Sequence, residues 1–406
     1  MEIGYINFSA EERNNIYKVI QSIRDHQAID ELGIGRIRDA FSNKMFPGMS
    51  TLQNRAKYFT VLPALYLEAE KKKYKNVEEV RQTVLDLEIK LTRQLMNGSP
   101  NADGITGSSV IEQAERSRSR YVKYDPSYIY WGGLVTYGMA ATDGSLYRLI
   151  YERSLKRRNR PVRIHSNDDD QEQGDDEETA GDTPIFNAGG LHYVFDGKTP
   201  ISLDLTSAEA GFIKGQILTS EQSRDSLLAY LLKTNEPIAK SWLDNASLWQ
   251  NLPSDFLLTY TLSAAFSRFI YLLRIFYNYI YDKKTGNEDG ANKNMDSFKD
   301  YLTANSESCT VEAVSTVIIY VSNTVTDTAL KIFCLEAASC VEHNDLSGLE
   351  NCIVRREKET KGPTRAKLTN WKKFVGQSHG DPGLLDYRWS LVYNMIQEIR
   401  KGLVNG

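Results

Sequence analysis

The chain has 406 residues, of which 41% are hydrophobic and 25% are charged, and its formal net charge is −4. This length predicts two or three domains with real cores, and the composition excludes a collagen-like or fully disordered protein. The charge is uneven, because residues 1–166 carry a net charge of +7 and residues 167–182 a net charge of −9. The net charge therefore does not indicate a nucleic-acid-binding protein, but the uneven distribution allows a local basic surface.

Helical patterns dominate the chain and predict a mainly α, multi-helical fold with two or three helical subdomains. Capping residues mark three helix starts: Ser9 with Glu12, Asn76, and Thr206 with Glu209. The Asn76 helix continues to Met96. Further helices are predicted at 50–73, 108–120, 126–141, 144–158, 221–233, 237–250, 254–282, 293–304, 310–321, 325–342, 346–360 and 385–401. Strand signals occur only at 192–205, which predicts at most a small β-hairpin, and residues 283–294 read as a loop.

Residues 166–184 form the clearest predicted domain boundary. This stretch is acidic and lacks aromatic and branched apolar side chains, so it predicts a disordered linker. It separates a basic N-terminal helical domain (1–165) from a C-terminal helical domain (185–406). Two interpretations stay open: a solvated linker attracted to the basic stretch before it, or a shield over a basic surface that a polyanion displaces.

The cellular setting is predicted to be the cytoplasm. The N-terminus has neither a basic nor an apolar signal-peptide region, and four cysteines are too few for a disulfide framework in a chain of this size. The most apolar stretch, 256–281, contains Arg268 and Arg274. We therefore predict a buried core helix there rather than a membrane span.

Patterns that resemble catalytic or metal sites fail on spacing. The glycines of 189–199 lack the P-loop spacing and a following helix, and Asp86 and Lys90 fall on one predicted helix as an ordinary ion pair. The cysteines of 334–352 do not have structural zinc spacing. We therefore predict no catalytic residue, no metal site and no cofactor.

Three basic clusters are the candidate binding residues. The first contains Arg36, Arg38, Arg55 and Lys57, in a predicted helix-turn-helix-like hairpin at 33–73 whose turn is Pro47–Gly48. Helical spacing places Arg38 near Ile34 and Ile37 and Arg36 on another side of the first helix. Arg55 and Lys57 are expected on the surface of the second helix, whose N-terminus after the turn could bind phosphate. The alternative is an ordinary helical hairpin whose arginines pair with Asp30, Glu31 and Asp39.

The second and third clusters lie later in the chain. The second contains Arg116, Arg118, Arg120 and Lys123, followed by tyrosines and Trp131. The third contains Arg355, Arg356, Lys358, Lys361, Arg365, Lys367, Lys372 and Lys373 around a Gly-Pro turn. Cations interleaved with aromatic rings are typical of nucleic-acid binding. The alternative for the second cluster is that its aromatic residues belong to the core, and the alternative for the third cluster is a solvated loop.

Several segments resemble a bacterial family of uncharacterised proteins defined only by a domain of unknown function. They are GYINFS (4–9), DELGIGRIRDAFSNKMFPGMSTLQNRAKYF (30–59), PSYIYWGGL (126–134), REKETKGPTRAKLTN (356–370) and GLLDYRW (383–389). The resemblance implies an association with helicases, phospholipase-D-like nucleases and methyltransferases in phage-defence clusters. It supplies no catalytic residues, and the acidic 166–184 stretch departs from the family pattern.

Together, the clusters and the resemblance predict a non-enzymatic subunit of a bacterial anti-phage system. This subunit would bind DNA through the three clusters and recruit or regulate a helicase or nuclease. Two alternatives stay open: a protein–protein scaffold that does not bind nucleic acid, and an enzyme whose site forms only in the folded chain.

Overall fold

The computed structural model describes residues 31–99, 103–111, 122–141, 144–158, 185–245, 249–377, 379 and 382–404. These residues contain thirteen α-helices and no β-strand, and a single isolated bridge joins Ala140 and Phe186. The predicted mainly α fold is confirmed. The capping box before Glu12 and the acidic linker 166–184 lie outside the described residues.

The chain forms two compact units. Unit 1 comprises the described residues of 47–235 and 391–404, and unit 2 comprises those of 31–46 and 236–390. Each unit combines stretches that are distant in sequence, and the predicted boundary at 166–184 lies outside the described residues. The two helices of the predicted 33–73 hairpin belong to different units, because the division falls between Phe46 and Pro47.

Six helices lie wholly in unit 1: α2 (Tyr58–Glu70), α3 (Val77–Asn97), α4 (Pro126–Thr136), α5 (Leu146–Arg158), α6 (Ser207–Thr219) and α7 (Leu227–Thr234). The predicted caps hold in this unit. The Asn76 side chain accepts from the Glu79 amide at 2.9 Å, and Thr206 and Glu209 complete a capping box. These local signals therefore place two helix starts correctly.

Helix α2 begins later than the predicted helix 50–73. The Gln53 side chain accepts from the Ser50 amide at 3.0 Å and donates to the carbonyls of Gly48 and Ile129. These bonds hold the backbone in turns up to Tyr58. At the predicted Pro47–Gly48 turn, Gly48 has φ +80°, a left-handed backbone conformation that glycine adopts without a steric penalty.

Residues 192–205 form no β-strand and do not pair as a β-hairpin. The side chain of Gln94 on α3 anchors them, because it donates to the carbonyls of Val194 and Thr199 at 2.7 and 2.8 Å. The strand-like pattern thus reflects an irregular segment bound to a helix, where side-chain bonds satisfy carbonyls that a second strand would otherwise pair.

Six helices lie wholly in unit 2: α1 (Gly35–Met45), α8 (Ser254–Thr285), α9 (Glu288–Asn305), α10 (Val311–Tyr320), α11 (Thr328–Glu342) and α12 (Leu346–Lys361). Helix α13 (Trp389–Val404) starts in unit 2 and ends in unit 1. Two predictions fail in unit 2, because α9 begins inside the predicted loop 283–294 and the described residues 237–245 contain only the short 3₁₀ helix Leu243–Asn245.

Helix α8 is the core element of unit 2. Among the described residues it alone is long and apolar enough to cross a membrane, and 56% of its most apolar window is buried inside the protein. Two later parts of the unit bond to α8: the Tyr281 hydroxyl donates to the carbonyl of Phe374, and the Leu385 amide donates to Ser267 Oγ, both at 2.8 Å. Its burial within the unit agrees with the predicted core helix.

Candidate nucleic-acid interface

The third basic cluster lies on one ordered stretch of unit 2, the end of α12 and the turns that follow it to Lys373; we call residues 355–373 the basic segment. The side chain of Asn370 donates to the carbonyls of Pro363 and Ala366 at 2.6 and 2.8 Å. The Lys373 amide in turn donates to the carbonyl of Asn370 at 2.9 Å. These bonds make the loop a chain of fixed turns, so its side chains leave from defined positions.

A buried carboxylate anchors the basic segment. Glu357 has no exposed surface, and its two oxygens accept from the amides of Lys367 and Leu368 at 2.8 and 2.9 Å. The hydroxyl of Tyr277 on α8 donates to the same carboxylate at 2.7 Å. Three donors on one buried carboxylate satisfy its charge and tie the turns after α12 to the core helix.

Several cations of this segment are engaged inside unit 2. Arg355 contacts Glu336, and Lys361 and Lys367 share Glu31. Arg356, a candidate binding residue, is only 6% exposed and donates to the backbone carbonyls of residues 32 and 33. The surface position predicted for Arg356 is therefore wrong, because its guanidinium fastens the chain before α1 to α12.

Four cations of the basic segment are exposed and form no ion pair with a described residue: Lys358, Arg365, Lys372 and Lys373. We call these four the open cations. The Arg365 Nε donates only to the carbonyl of Lys361, at 3.0 Å, and the Lys372 Nζ lies 5.7 Å from the centre of the Trp371 ring. The basic segment therefore presents unneutralised charge beside an aromatic ring.

The first cluster is divided between the two units. In unit 2, Arg36 pairs with Asp327 at 3.3 Å and Arg38 with Asp39 at 3.4 Å. Asp39 also binds the buried Arg388 at 3.2 Å. The alternative interpretation, in which arginines pair with nearby carboxylates, thus describes Arg38 correctly.

In unit 1, the two cations of the first cluster are held by carboxylates distant in sequence. Arg55 Nε lies 2.6 Å from Glu398, and Lys57 Nζ lies 2.5 Å from Glu209. Lys57 is only 3% exposed. The surface position predicted for Lys57 is wrong, because α6 covers the start of α2 with the matching carboxylate.

The Lys57–Glu209 pair is the centre of a buried polar network. The Tyr193 hydroxyl also donates to Glu209 and lies 2.9 Å from Thr60 Oγ1, while the second Glu209 oxygen accepts from the Thr206 amide at 2.8 Å. Burial alone would raise the pKa of Glu209, but the bonds from Lys57, Tyr193 and Thr206 outweigh it and hold that pKa below its ordinary value.

The Glu209→Gln substitution should make stability less sensitive to acid. A carboxylate whose pKa is lower in the folded state stabilises the fold above its unfolded pKa, and this stabilisation disappears as the pH falls through the folded value. We expect the free energy of unfolding, measured by denaturant titration between about pH 5 and 3, to change less steeply with pH in the variant than in the wild type.

The Glu398→Gln substitution is the control of opposite sign. Burial raises the pKa of Glu398 despite the bonds from the Ala56 amide and Arg55, so this carboxyl binds protons more readily in the folded state. Its contribution to stability is lost as the pH rises, and removing it should steepen the acid dependence. Equal pH slopes in both variants would contradict the two assignments.

The second cluster is described only at its end. Arg116, Arg118 and Arg120 lie outside the described residues. Lys123 is exposed, and its Nζ lies 5.1 Å from the centre of the Tyr124 ring. Of the aromatic residues that follow, Tyr130 is buried in the core of unit 1, where it stacks on Tyr58 with ring centres 4.8 Å apart.

Sequence reasoning missed a basic turn in unit 1. Lys71, Lys72, Lys73 and Lys75 are exposed between α2 and α3, around the buried Tyr74, whose hydroxyl donates to the carbonyl of Ala69 at 2.6 Å. Four lysines in five residues were the available signal. Lys71 pairs with Glu68 at 2.7 Å, so part of this charge is neutralised locally.

The described residues contain no group of three or more histidine, cysteine, aspartate or glutamate side chains that could hold a metal ion. The cysteines considered as zinc ligands are free thiols, and Cys334 and Cys352 are buried. Burial raises the pKa of Cys352 to about 12, which keeps this thiol protonated.

Comparison with known proteins gives one match. Residues 1–172 match the model of a family of unknown function, DUF6361. The chain is thus similar, over this N-terminal part, to an uncharacterised family. No curated protein and no solved structure matches the chain significantly.

Proposed function

We propose that this chain is a non-enzymatic adaptor that binds DNA through the open cations of the basic segment. The observation that supports it is a set of exposed cations that form no ion pair with a described residue, on the end of α12 and on the turns that Glu357 and Asn370 hold in place: Lys358, Arg365, Lys372 and Lys373. Fixed cations of this kind suit the phosphate backbone, because binding them releases condensed counterions from the polyanion.

The contacts favour backbone binding over reading of base sequence. Lysine is a compact charge without the bidentate fork that recognises a base edge, and three of the four open cations are lysines. Trp371 adds an aromatic surface beside Lys372, on which an unpaired base could stack. The proposal therefore includes little discrimination between DNA sequences.

The role in anti-phage defence and the recruitment of a helicase or nuclease are part of the same proposal. Their support is the sequence resemblance carried by 30–59, 126–134 and 356–370. An adaptor of this kind would hold DNA with one surface and the enzyme with another.

The test measures the affinity of the full chain for a labelled DNA duplex at about 100 mM salt, by fluorescence anisotropy. The Lys372→Gln/Lys373→Gln variant should bind about tenfold more weakly, because two phosphate contacts are lost. The matched control is Lys283→Gln/Lys284→Gln, which removes the same charge from two lysines that Glu350 already pairs, at 3.6 and 3.3 Å. Equal losses in the two variants would contradict a specific role for the open cations.

A protein–protein scaffold is the second candidate function. It is favoured by the internal pairing of Arg36, Arg55 and Lys57, which leaves fewer cations for phosphate. Exposed apolar side chains such as Ile319, which is 71% exposed, offer contacts of another kind. Co-purification with a neighbouring gene product, together with no DNA binding at low salt, would favour the scaffold.

A further inference from the structure

The chain before α1 is bound firmly to α12. Arg356 donates through Nε to the carbonyl of Leu32 at 2.9 Å and through Nη2 to that of Gly33 at 3.2 Å. Gly33 has φ +61°, and a Cβ at this position would lie 2.9 Å from the side chain of Thr360. Leu32 and Ile34 are buried on either side of it. Residues 31–34 therefore hold Glu31 at a fixed place beside the basic segment.

The Glu31 carboxylate engages two lysines of the basic segment at once. It contacts Lys361 Nζ, and its other oxygen lies 3.3 Å from Lys367 Nζ. The three side chains are only 16%, 13% and 23% exposed, respectively, so water screens these contacts weakly. A single carboxylate neutralises one of the two positive charges and covers both ammonium groups.

These two lysines are continuous with the open cations. Lys361 follows Lys358 by three residues on α12, and its carbonyl accepts from Arg365 Nε. Lys367 follows Arg365 by two residues, and its amide is fixed by Glu357. Glu31 thus covers two cations that alternate along the chain with the open cations.

We infer that Glu31 occupies an anion site that Lys361 and Lys367 would otherwise offer to a phosphate of the bound polyanion. This inference rests on the proposed function, because it concerns the same basic surface. The carboxylate competes with phosphate as a charged oxygen acceptor for the same donors. The segment 31–34 therefore restrains affinity, and displacing Glu31 makes Lys361 and Lys367 available.

The Glu31→Gln variant of the full chain tests the inference with the labelled duplex. We expect about five- to tenfold tighter binding than wild type at about 100 mM salt, and a steeper salt dependence by about 0.9 for each lysine that gains a phosphate. The matched control is Glu312→Gln, an exposed α10 position that changes the net charge equally without an ion-paired lysine. Its affinity should stay within about twofold of wild type.

A triple variant identifies the groups responsible. Glu31→Gln combined with Lys361→Gln and Lys367→Gln should lose the gain and bind no more tightly than the wild type. Thermal unfolding of every variant shows whether the fold is retained. The inference is supported if Glu31→Gln binds DNA more tightly than the wild type and has the same unfolding midpoint. Binding by Glu31→Gln under conditions where the wild type does not bind supports it as well.

Two outcomes overturn the inference and differ in what they say of the function. If the wild type binds DNA and both Glu31→Gln and Glu312→Gln change the affinity equally, Glu31 has no specific role, but the proposed function stands. Absence of binding by the wild type and Glu31→Gln alike, even at low salt, removes both proposals.

Discussion

The Lys57→Met substitution is expected to lower the free energy of unfolding of unit 1 by about 3–5 kcal/mol. The methionine fills nearly the same volume, so the loss comes from charge rather than packing. Glu209, only 3% exposed, would remain buried without its cation. A buried carboxylate without a partner costs more than the intact pair contributes, because its desolvation is no longer offset.

The measurement is denaturant unfolding followed by circular dichroism, with Lys198→Met as the control. Lys198 is an exposed lysine of the same unit without an ion pair to a described residue, and its replacement should change stability by less than about 0.5 kcal/mol. The double variant Lys57→Met/Glu209→Gln should recover part of the loss, since the stranded charge is gone. A Lys57→Met effect as small as that of Lys198→Met would contradict the buried ion pair.

The Glu357→Leu substitution is expected to destabilise unit 2 by about 2–4 kcal/mol. It leaves the amides of Lys367 and Leu368 and the hydroxyl of Tyr277 without their acceptor in the interior. Each buried donor without a partner costs about 1–3 kcal/mol, and some of the three would regain water as the turns open. The same variant should weaken DNA binding, because the open cations lose their fixed positions.

Glu359→Leu is the matched control for this substitution. It makes the same replacement two residues later on α12, where the glutamate is about half exposed and lies 3.9 Å from Arg355. An exposed pair of this kind contributes little, so stability should change by less than about 1 kcal/mol. If Glu357→Leu keeps both wild-type stability and wild-type affinity, Glu357 is not the anchor of the basic segment.

Much of the fold could be predicted because helix signals are local. The caps at Asn76 and Thr206 and the turn at Gly48 depend on residues within a few positions of one another. Predictions failed where a distant or irregular partner decides the conformation. The Asn245 side chain bonds both backbone groups of Ala239, which closes a non-helical loop in the predicted helix 237–250.

The positions of the cations in the candidate site could be predicted from the sequence, but the carboxylates that pair with them could not. The sequence identified the basic clusters, yet the carboxylate that binds Lys57 lies 152 residues away, and the one that binds Lys361 comes from before α1. Ion pairs between distant residues leave no periodic pattern in a sequence, so paired and open cations look alike. Only the folded chain distinguishes Arg356, which is buried, from Lys358, two residues later, which is exposed.

The salt dependence of DNA binding by the full chain shows whether the open cations form the phosphate-binding surface. We expect log K to fall linearly with log salt, with a slope whose magnitude decreases by about 0.9 for each open cation replaced by glutamine. Replacing the ion-paired Arg36 and Arg38 should leave the slope nearly unchanged. A slope near zero for the wild type, or one that Arg36 and Arg38 control instead of Lys372 and Lys373, would contradict this role of the open cations.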